Sequence, residues 1–411
     1  MPFTQSPKLI RFLNTFVTVQ QRRRYLLILA LGLGYSINIG LFYYFAQYVL
    51  AIGGTAQKAG ILLTASMLPT LLLAIAGGRF LARTHPFVLI ALGVAAGACG
   101  RFGMAWTDRW TWGLLGWCVI NGLSYALAFS TLLRIATEVA PPAHKAEAVS
   151  YYTLVIQLGH VLGSFFGTYL LVWGGFELLF GLSGFFLLAL LPLLGWIGLR
   201  QELTVLPMPE QRQGGAGTAA LSREIWLALL MIVAIGAANG VPMQFMPVHL
   251  RVSPATANIP VPYFLTAATL AIVATRFGFA RLMDGAQQGL WFRRFLITLG
   301  LSLLALPFMR ERWSLMVAAI AYGASYSLLY PSIMAAAMHA TPLELRGKFS
   351  AWAALALEMG LRGLAIPLTL LVVDNRYWPM FVALALLLLL VGSAYQRQQY
   401  RKGNALAQPD D

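Results

Sequence analysis

Charge is what this sequence has least of. Only 10% of its 411 residues are Asp, Glu, Lys or Arg, against about 25% in soluble domains. So few charges cannot clothe a water-facing surface, which excludes a soluble enzyme, a disordered chain and a DNA-binding domain. Acids are the scarcer sign, 14 against 29 basic residues, for a formal net charge of +15. In a soluble chain that balance points to nucleic acid. Here 59% hydrophobic residues and a mean hydropathy of +0.72 leave most of the chain no route to water, so no nucleic-acid partner is expected. Cysteine is nearly absent: Cys99 and Cys118 both fall in apolar runs. That excludes a disulfide framework and a cysteine metal cluster. Phosphate-binding glycine loops, a nucleophile elbow and metal-ligand spacing in water-facing segments are missing too, so neither enzyme chemistry nor a cofactor or metal is expected.

What is present is a series of apolar runs of membrane-spanning length, about 20 residues each. Twelve are expected: 25–49, 59–78, 87–106, 111–135, 148–173, 176–199, 225–250, 261–282, 292–309, 314–338, 349–373 and 378–395. The chain therefore reads as an all-α polytopic membrane protein. The basic stretch before Tyr25 leads into a run too long for a signal-peptide core, which reads as the first span. Twenty of the 29 basic residues fall on the side that carries the N-terminus, six on the other and three (Arg101, Arg276, Arg362) within spans. The positive-inside rule then places both termini in the cytoplasm. The expected parts are a tail at 1–24, six helices at 25–199, a linker at 200–224, six helices at 225–395 and a tail at 396–411. No loop is long enough to fold alone, so any function resides in the spans.

The two halves repeat. Asn38 matches Asn239, and Gly122-Leu-Ser-Tyr125 matches Gly323-Ala-Ser-Tyr326, both at an offset of 201; Pro142, Ser150 and Gly163 match Pro342, Ser350 and Gly363 at 200. One register along the whole chain implies two homologous six-helix units in the same orientation, related by a pseudo-two-fold along the membrane normal.

Several motifs carry a family resemblance. Gly78-Arg79-Phe80-Leu81-Ala82-Arg83 lies at the end of the second span, and Arg276-Phe-Gly-Phe-Ala280-Arg281-Leu-Met-Asp284 at the cytoplasmic end of the eighth. Tyr330-Pro331, Pro342, Arg346-Gly347 and Glu358-Met-Gly360 form a tenth-to-eleventh helix pattern, and the fifth span holds Gly159, Gly163 and Gly167 at four-residue spacing. In these the chain resembles the major facilitator superfamily of secondary transporters over its full length, and in particular the sugar and drug efflux permeases. The resemblance implies two pseudo-symmetric six-helix bundles around a central cavity, working by alternating access. It also implies a gating role for Gly78, Arg79, Arg276, Arg281 and Asp284. Ala82 stands where the family's first loop has aspartate, Ser164 where the antiporter stripe has proline, and Cys118 where proton-coupled drug pumps have arginine.

Ionisable groups deep in a span are costly and point to function. Glu358 and Arg362 are spaced i,i+4 and share a helix face. Glu358 is the expected proton-binding carboxylate and Arg362 the expected anchor for a substrate anion; a structural ion pair is the alternative. His160, on the glycine stripe, is either a proton relay or an interhelical hydrogen-bonding group. The stripe of Gly159, Gly163 and Gly167 lets another backbone approach closely. Because the resemblance puts helices one, four, seven and ten on the cavity, Asn38, Tyr43, Gln47, Asn121, Tyr125, Asn239, Tyr322, Ser325 and Tyr326 become wall candidates. Tyr322, Tyr326 and Tyr330 form one stripe of rings with hydroxyl tips. Met334, Met338 and His339, and separately Met246 and His249, raise a soft-metal reading, although methionines at helical spacing more often fill cores.

The expected function is proton-coupled efflux of a small organic solute across the cytoplasmic (inner) membrane, with solute, protons and lipid as partners and the protein a monomer. Uptake of an organic anion, or transport of a metal or metal chelate, is the alternative. A non-transporting assembly factor or sensor on the same fold is the alternative from another class.

Overall fold

The computed structural model describes residues 12–16, 18–76, 80, 84–141, 144–200, 223–279, 288–341 and 346–407. Twelve helical spans follow one another: α1 Val19–Ala51, α2 Ala56–Ile75, α3 Pro86–Ala105, α4 Gly113–Val139, α5 and α6 within Lys145–Arg200, α7 Arg223–Val252, α8 Pro262–Phe279, α9 Gln288–Ala305, α10 Arg312–Ala340, α11 Arg346–Glu358 continuing to Thr369, and α12 Trp378–Ala407. Among the described residues nine segments are by themselves long and apolar enough to cross a membrane. One of these, Ala148–Trp196, is long enough to cross twice, and α8 and α11 complete the twelve.

Local chemistry sets the helix ends. Thr18 and Thr55 cap α1 and α2, their hydroxyls accepting from the amides of Gln21 at 3.1 Å and Lys58 at 3.3 Å, which satisfies donors that a helix start leaves open. Pro86 opens α3 at a position where its missing N–H costs nothing. The fifth and sixth spans part at Gly174–Gly175, where Gly175 takes φ +64° and ψ −159°. Only glycine adopts that geometry readily. Two spans carry one π-helical turn each, Tyr125–Phe129 in α4 and Met359–Gly363 in α11.

The chain forms two compact units: Met1–Phe42 with Leu68–Gln213, and Tyr43–Met67 with Gly214–Asp411. The end of α1 and the start of α2 thus belong to the second unit, whereas the sequence division at the linker assigns them to the first.

In the first unit, α1 packs on α5 through glycine. A Cβ on Gly40 would lie 2.6 Å from the His160 carbonyl oxygen and 2.9 Å from the Cα of Gly163, and one on Gly159 would lie 2.9 Å from the Leu33 carbonyl. The hydroxyl of Tyr25 donates to the carbonyl of Ala148 at 2.7 Å, and Tyr35 and Ser124 share a hydrogen bond of 3.1 Å. The second unit uses the same device between α7 and α11. A Cβ on Gly236 would lie 2.6 Å from the Leu357 carbonyl oxygen, and one on Gly360 would lie 2.8 Å from the amide nitrogen of Ala237. Small residues admit this backbone-to-backbone contact, which is how helices associate where lipid removes the hydrophobic drive.

Candidate functional site

The second unit holds the buried carboxylate and the tyrosine stripe. Parallel helices α8 and α10 fix its frame. Gly323 presses against the backbone of Ala268, and one turn on the Ser327 hydroxyl donates to the carbonyl of Ile272 at 2.8 Å. Both pairs are separated by the same 55 positions, so the next turn brings Arg276 level with Pro331. Arg276 lies there within electrostatic reach of Tyr326 and Tyr330. Tyr330 is in turn an electrostatic neighbour of Glu358.

Tyr322, Tyr326 and Tyr330 run down one face of α10. Tyr322 is wholly buried, and its hydroxyl donates to the carbonyl of Ala238 at 2.8 Å, with Oδ1 of Asn239 at 3.5 Å. Tyr43, from the α1 segment that joins this unit, is buried near Tyr322 and Tyr326. Gln47 is buried in the same segment, and the Ser325 hydroxyl bonds back to the carbonyl of Ala321 at 2.7 Å.

Glu358 is, among the described residues, the one fully buried acid. It forms an ion pair of 3.5 Å with Nε of Arg362, and the two side chains are 6% and 16% exposed. The Arg362 guanidinium also donates to the backbone oxygen and hydroxyl of Ser66, each at 3.4 Å, and Thr64 donates to the Arg362 carbonyl at 2.8 Å. Arg362 therefore straps α11 to the α2 segment of its unit. The π-helical turn from Met359 begins right after Glu358, and such turns disrupt the regular hydrogen-bond ladder where a side chain needs re-aiming.

Several other candidates sit in the first unit. Asn38 is buried at the junction of α1, α3 and α6: its Oδ1 accepts from the Ser183 hydroxyl and its carbonyl from Nη2 of Arg101 at 3.1 Å. Asn121 is half-buried, with its Cβ against Gly100, and Tyr125 stacks on Phe129 at 4.6 Å within the π-helical turn of α4. His160 is half-buried with its backbone on Gly40; Gly159 and Gly163 face α1, and Gly167 is buried on the same helix. Asn38, Asn121, Tyr125 and His160 are thus in one unit, whereas Tyr43, Asn239, Arg276, Tyr322, Tyr326, Glu358 and Arg362 are in the other. Gly78, Arg79, Arg281 and Asp284 lie outside the described residues. His249 engages the carbonyl of Pro307 through Nε2 at 2.9 Å and packs on Tyr377 and Phe381. No group of three or more potential metal ligands occurs among the described residues.

Sequence reasoning passed over Arg101. It is 3% exposed, and its guanidinium lies 4.4 Å over the ring of Phe42 and 5.7 Å from that of Phe180, a cation–π setting that offsets part of its burial cost. Its place inside a span was the available signal, the same one that marked Arg362. Ser66 and Thr64 carried no signal, because serine and threonine inside spans are commonplace.

Two units of spanning helices, each closed by a glycine seam and one of them holding a buried carboxylate, an arginine pair and a tyrosine ladder, define a multi-pass membrane protein of the transporter class. The chain belongs to the major facilitator superfamily, whose family model matches residues 24–361. Its fold is similar to that of a D-xylose-proton symporter, with a TM-score of 0.71, 14% identity, and coverage of 90% of this chain and 96% of that one. It is similar too to a mutant form of the nucleoside transporter NupG, with a TM-score of 0.68, 12% identity and coverage of 91% and 99%. A bacterial homolog of the human lysosomal transporter Spinster, inward-facing and unoccupied, gives a TM-score of 0.66, 14% identity and coverage of 92% and 97%. No curated relative matches by sequence. The family and the fold support secondary transport of a small solute.

Proposed function

We propose that this protein moves a small organic solute across the cytoplasmic membrane by alternating access, in exchange for protons, with Glu358 as the group that takes up and releases the proton. The observation that carries the reading is Glu358 itself: an acid 4% exposed, mid-span, with a neutralising arginine one turn away. A carboxylate in that position is costly to insert and earns its place through function more often than through stability. The tyrosine ladder beside it offers aromatic faces and hydroxyls for an organic solute. Both termini are cytoplasmic, and the protein works as a monomer.

Export is the preferred direction because the tenth-to-eleventh helix pattern resembles efflux permeases. The glycine stripe gives that direction no further support, since α7 and α11 reproduce the contact of α1 and α5. Uptake is the second reading, favoured by the likeness to a protein described as a D-xylose-proton symporter.

Purified protein in sealed vesicles with an imposed pH gradient tests the proposal against a panel of sugars, nucleosides and organic acids. One compound should evoke a proton flux, its sign reporting exchange or co-transport. Glu358→Gln should abolish the flux and Glu358→Asp should keep part of it. A full flux in Glu358→Gln refutes the assignment.

A further inference from the structure

Helices α9 and α12 lie side by side in the second unit, and three contacts fix their register. Phe292 meets Tyr395 with ring centroids 5.8 Å apart, a Cβ on Gly392 would press on the Leu296 side chain, and one on Gly300 would lie 2.8 Å from that of Leu389. All three fit one antiparallel pairing, which sets Arg397 level with Trp291. Trp291 stacks on Phe295 at 6.0 Å, and the Arg294 guanidinium lies 4.9 Å from the Trp291 ring. Arg293, Arg294 and Arg397 are all exposed. They cluster at the edges of the apolar segments Gly289–Phe308 and Trp378–Gln398, the level at which tryptophan and arginine meet lipid headgroups. Further along the same segments, Ile297 and Leu301 on α9 and Leu386 and Leu390 on α12 are 41–68% exposed.

Acids are scarce around this patch. Asp284 precedes α9, with Arg281 close to it in sequence, and no acid follows until Glu311; on the α12 side none occurs between Asp374 and Asp410, whereas Arg401 and Lys402 follow Arg397. At the start of the neighbouring α7, Arg223 matches Glu224. The positive-inside bias accounts for basic residues on this side of the membrane as a sum over many loops. It does not demand that two packed helices present theirs together above one apolar face.

We infer that the exposed edge formed by α9 and α12 is a seat for an anionic phospholipid. Arg294 and Arg397 hold its phosphate with Arg293 alongside, and its acyl chains lie on Ile297, Leu301, Leu386 and Leu390. Phosphate oxygens suit the fork of a guanidinium, and basic clusters beside a span attract anionic lipid by about fivefold per residue. The apolar face next to the arginines commits the seat to a lipid rather than to a free phosphate. The seat is independent of the solute transported.

The test uses the full-length protein in detergent, titrated with phosphatidylglycerol, with phosphatidylcholine of the same chains, and with glycerophosphate as the soluble anion. Lipid retained in native mass spectrometry and the melting temperature are read in parallel. Phosphatidylglycerol should be retained and should raise the melting temperature at concentrations where the other two do neither. Arg294→Gln with Arg397→Gln should weaken its retention on the order of 25-fold, about fivefold for each charge. Arg294→Lys with Arg397→Lys should keep most of it. Arg23→Gln, which removes an exposed arginine on the same side of the membrane from the first unit, should change nothing. Equal retention of the two lipids, an equal melting shift with glycerophosphate, or unaltered retention in the double glutamine variant would overturn the inference. An equal loss in Arg23→Gln would overturn it too, by reducing the seat to general basic charge. Without lipid the double glutamine variant should melt like the parent, because both side chains are exposed; a clear loss there would make the arginines structural and sink the seat.

Discussion

Adding one methyl group should distinguish the glycine seams from glycines that merely occur in spans. In Gly40→Ala the new Cβ would meet the His160 carbonyl oxygen at 2.6 Å, the Gly163 Cα at 2.9 Å and the His160 Cα at 3.0 Å. Carbon contacts settle near about 3.5 Å, so α1 and α5 must part by roughly 0.7 Å. All three obstructing atoms are backbone, and no rotamer change can relieve them. Overpacking of this kind costs about 1–3 kcal/mol, and the upper half of that range applies where only whole helices can move. The helix-forming advantage of alanine returns about 0.5–1 kcal/mol, leaving a net loss of about 1–2.5 kcal/mol. Gly116→Ala is the matched control: it lies in α4 of the same unit, and a Cβ there meets nothing within 4 Å. It should gain about 0.5–1 kcal/mol. Melting in detergent, at roughly 2–4 °C per kcal/mol for a unit of this size, should move in opposite directions for the two variants. If Gly40→Ala melts as high as Gly116→Ala, the close approach of α1 and α5 is wrong.

Three further outcomes follow from other contacts. Glu358→Gln leaves the Arg362 guanidinium without its counter-charge and should cost about 3 kcal/mol, the low end for a broken buried pair because Ser66 still accepts from the arginine; Glu358→Gln with Arg362→Met should recover most of it in the same melting assay. Gly175→Ala forces an L side chain into φ +64° and should cost about 1–2 kcal/mol, whereas Gly181→Ala on the same element, with open space and no special φ, should not destabilise. Asn38→Ala removes the acceptor of the buried Ser183 hydroxyl and should cost about 1–3 kcal/mol; the matching double variant with Ser183→Ala should lose less than the two single losses combined.

Much of this architecture could be read along the chain because the bilayer writes it locally. Each span must be largely apolar, so apolar runs between charged or Gly/Pro punctuation mark the twelve segments, and the break between the runs 148–173 and 176–199 falls where Gly174–Gly175 parts α5 from α6. The glycines at 159 and 163 announced a close helix contact by their spacing. Their partner Gly40 is legible only in space, since two stripes must meet for either to mean anything. Depth in a span singled out Glu358 and Arg362, but it could not say that Ser66 holds the arginine, because that bond joins residues 296 positions apart. The sequence marks Arg276 as part of a gating motif at the cytoplasmic end of the eighth span. Its level opposite Tyr330 depends on how α8 lies along α10, which no periodicity within either helix records.

Tyr43–Met67 belongs to the second unit by contacts that reach almost to the end of the chain: Gln57 donates to the carbonyl of Val372, 315 residues later. The segment is made early, and the last of these partners follows only when nearly the whole protein has been made. The second unit is therefore completed by the part of it that is made first. Severing the gene at the linker should then give unequal fragments. The half beginning at Gly214 lacks the stretch of chain that lies along α11, and it should need the front half present to mature. Contacts in space, as much as sequence homology, decide which parts of this molecule count as a half.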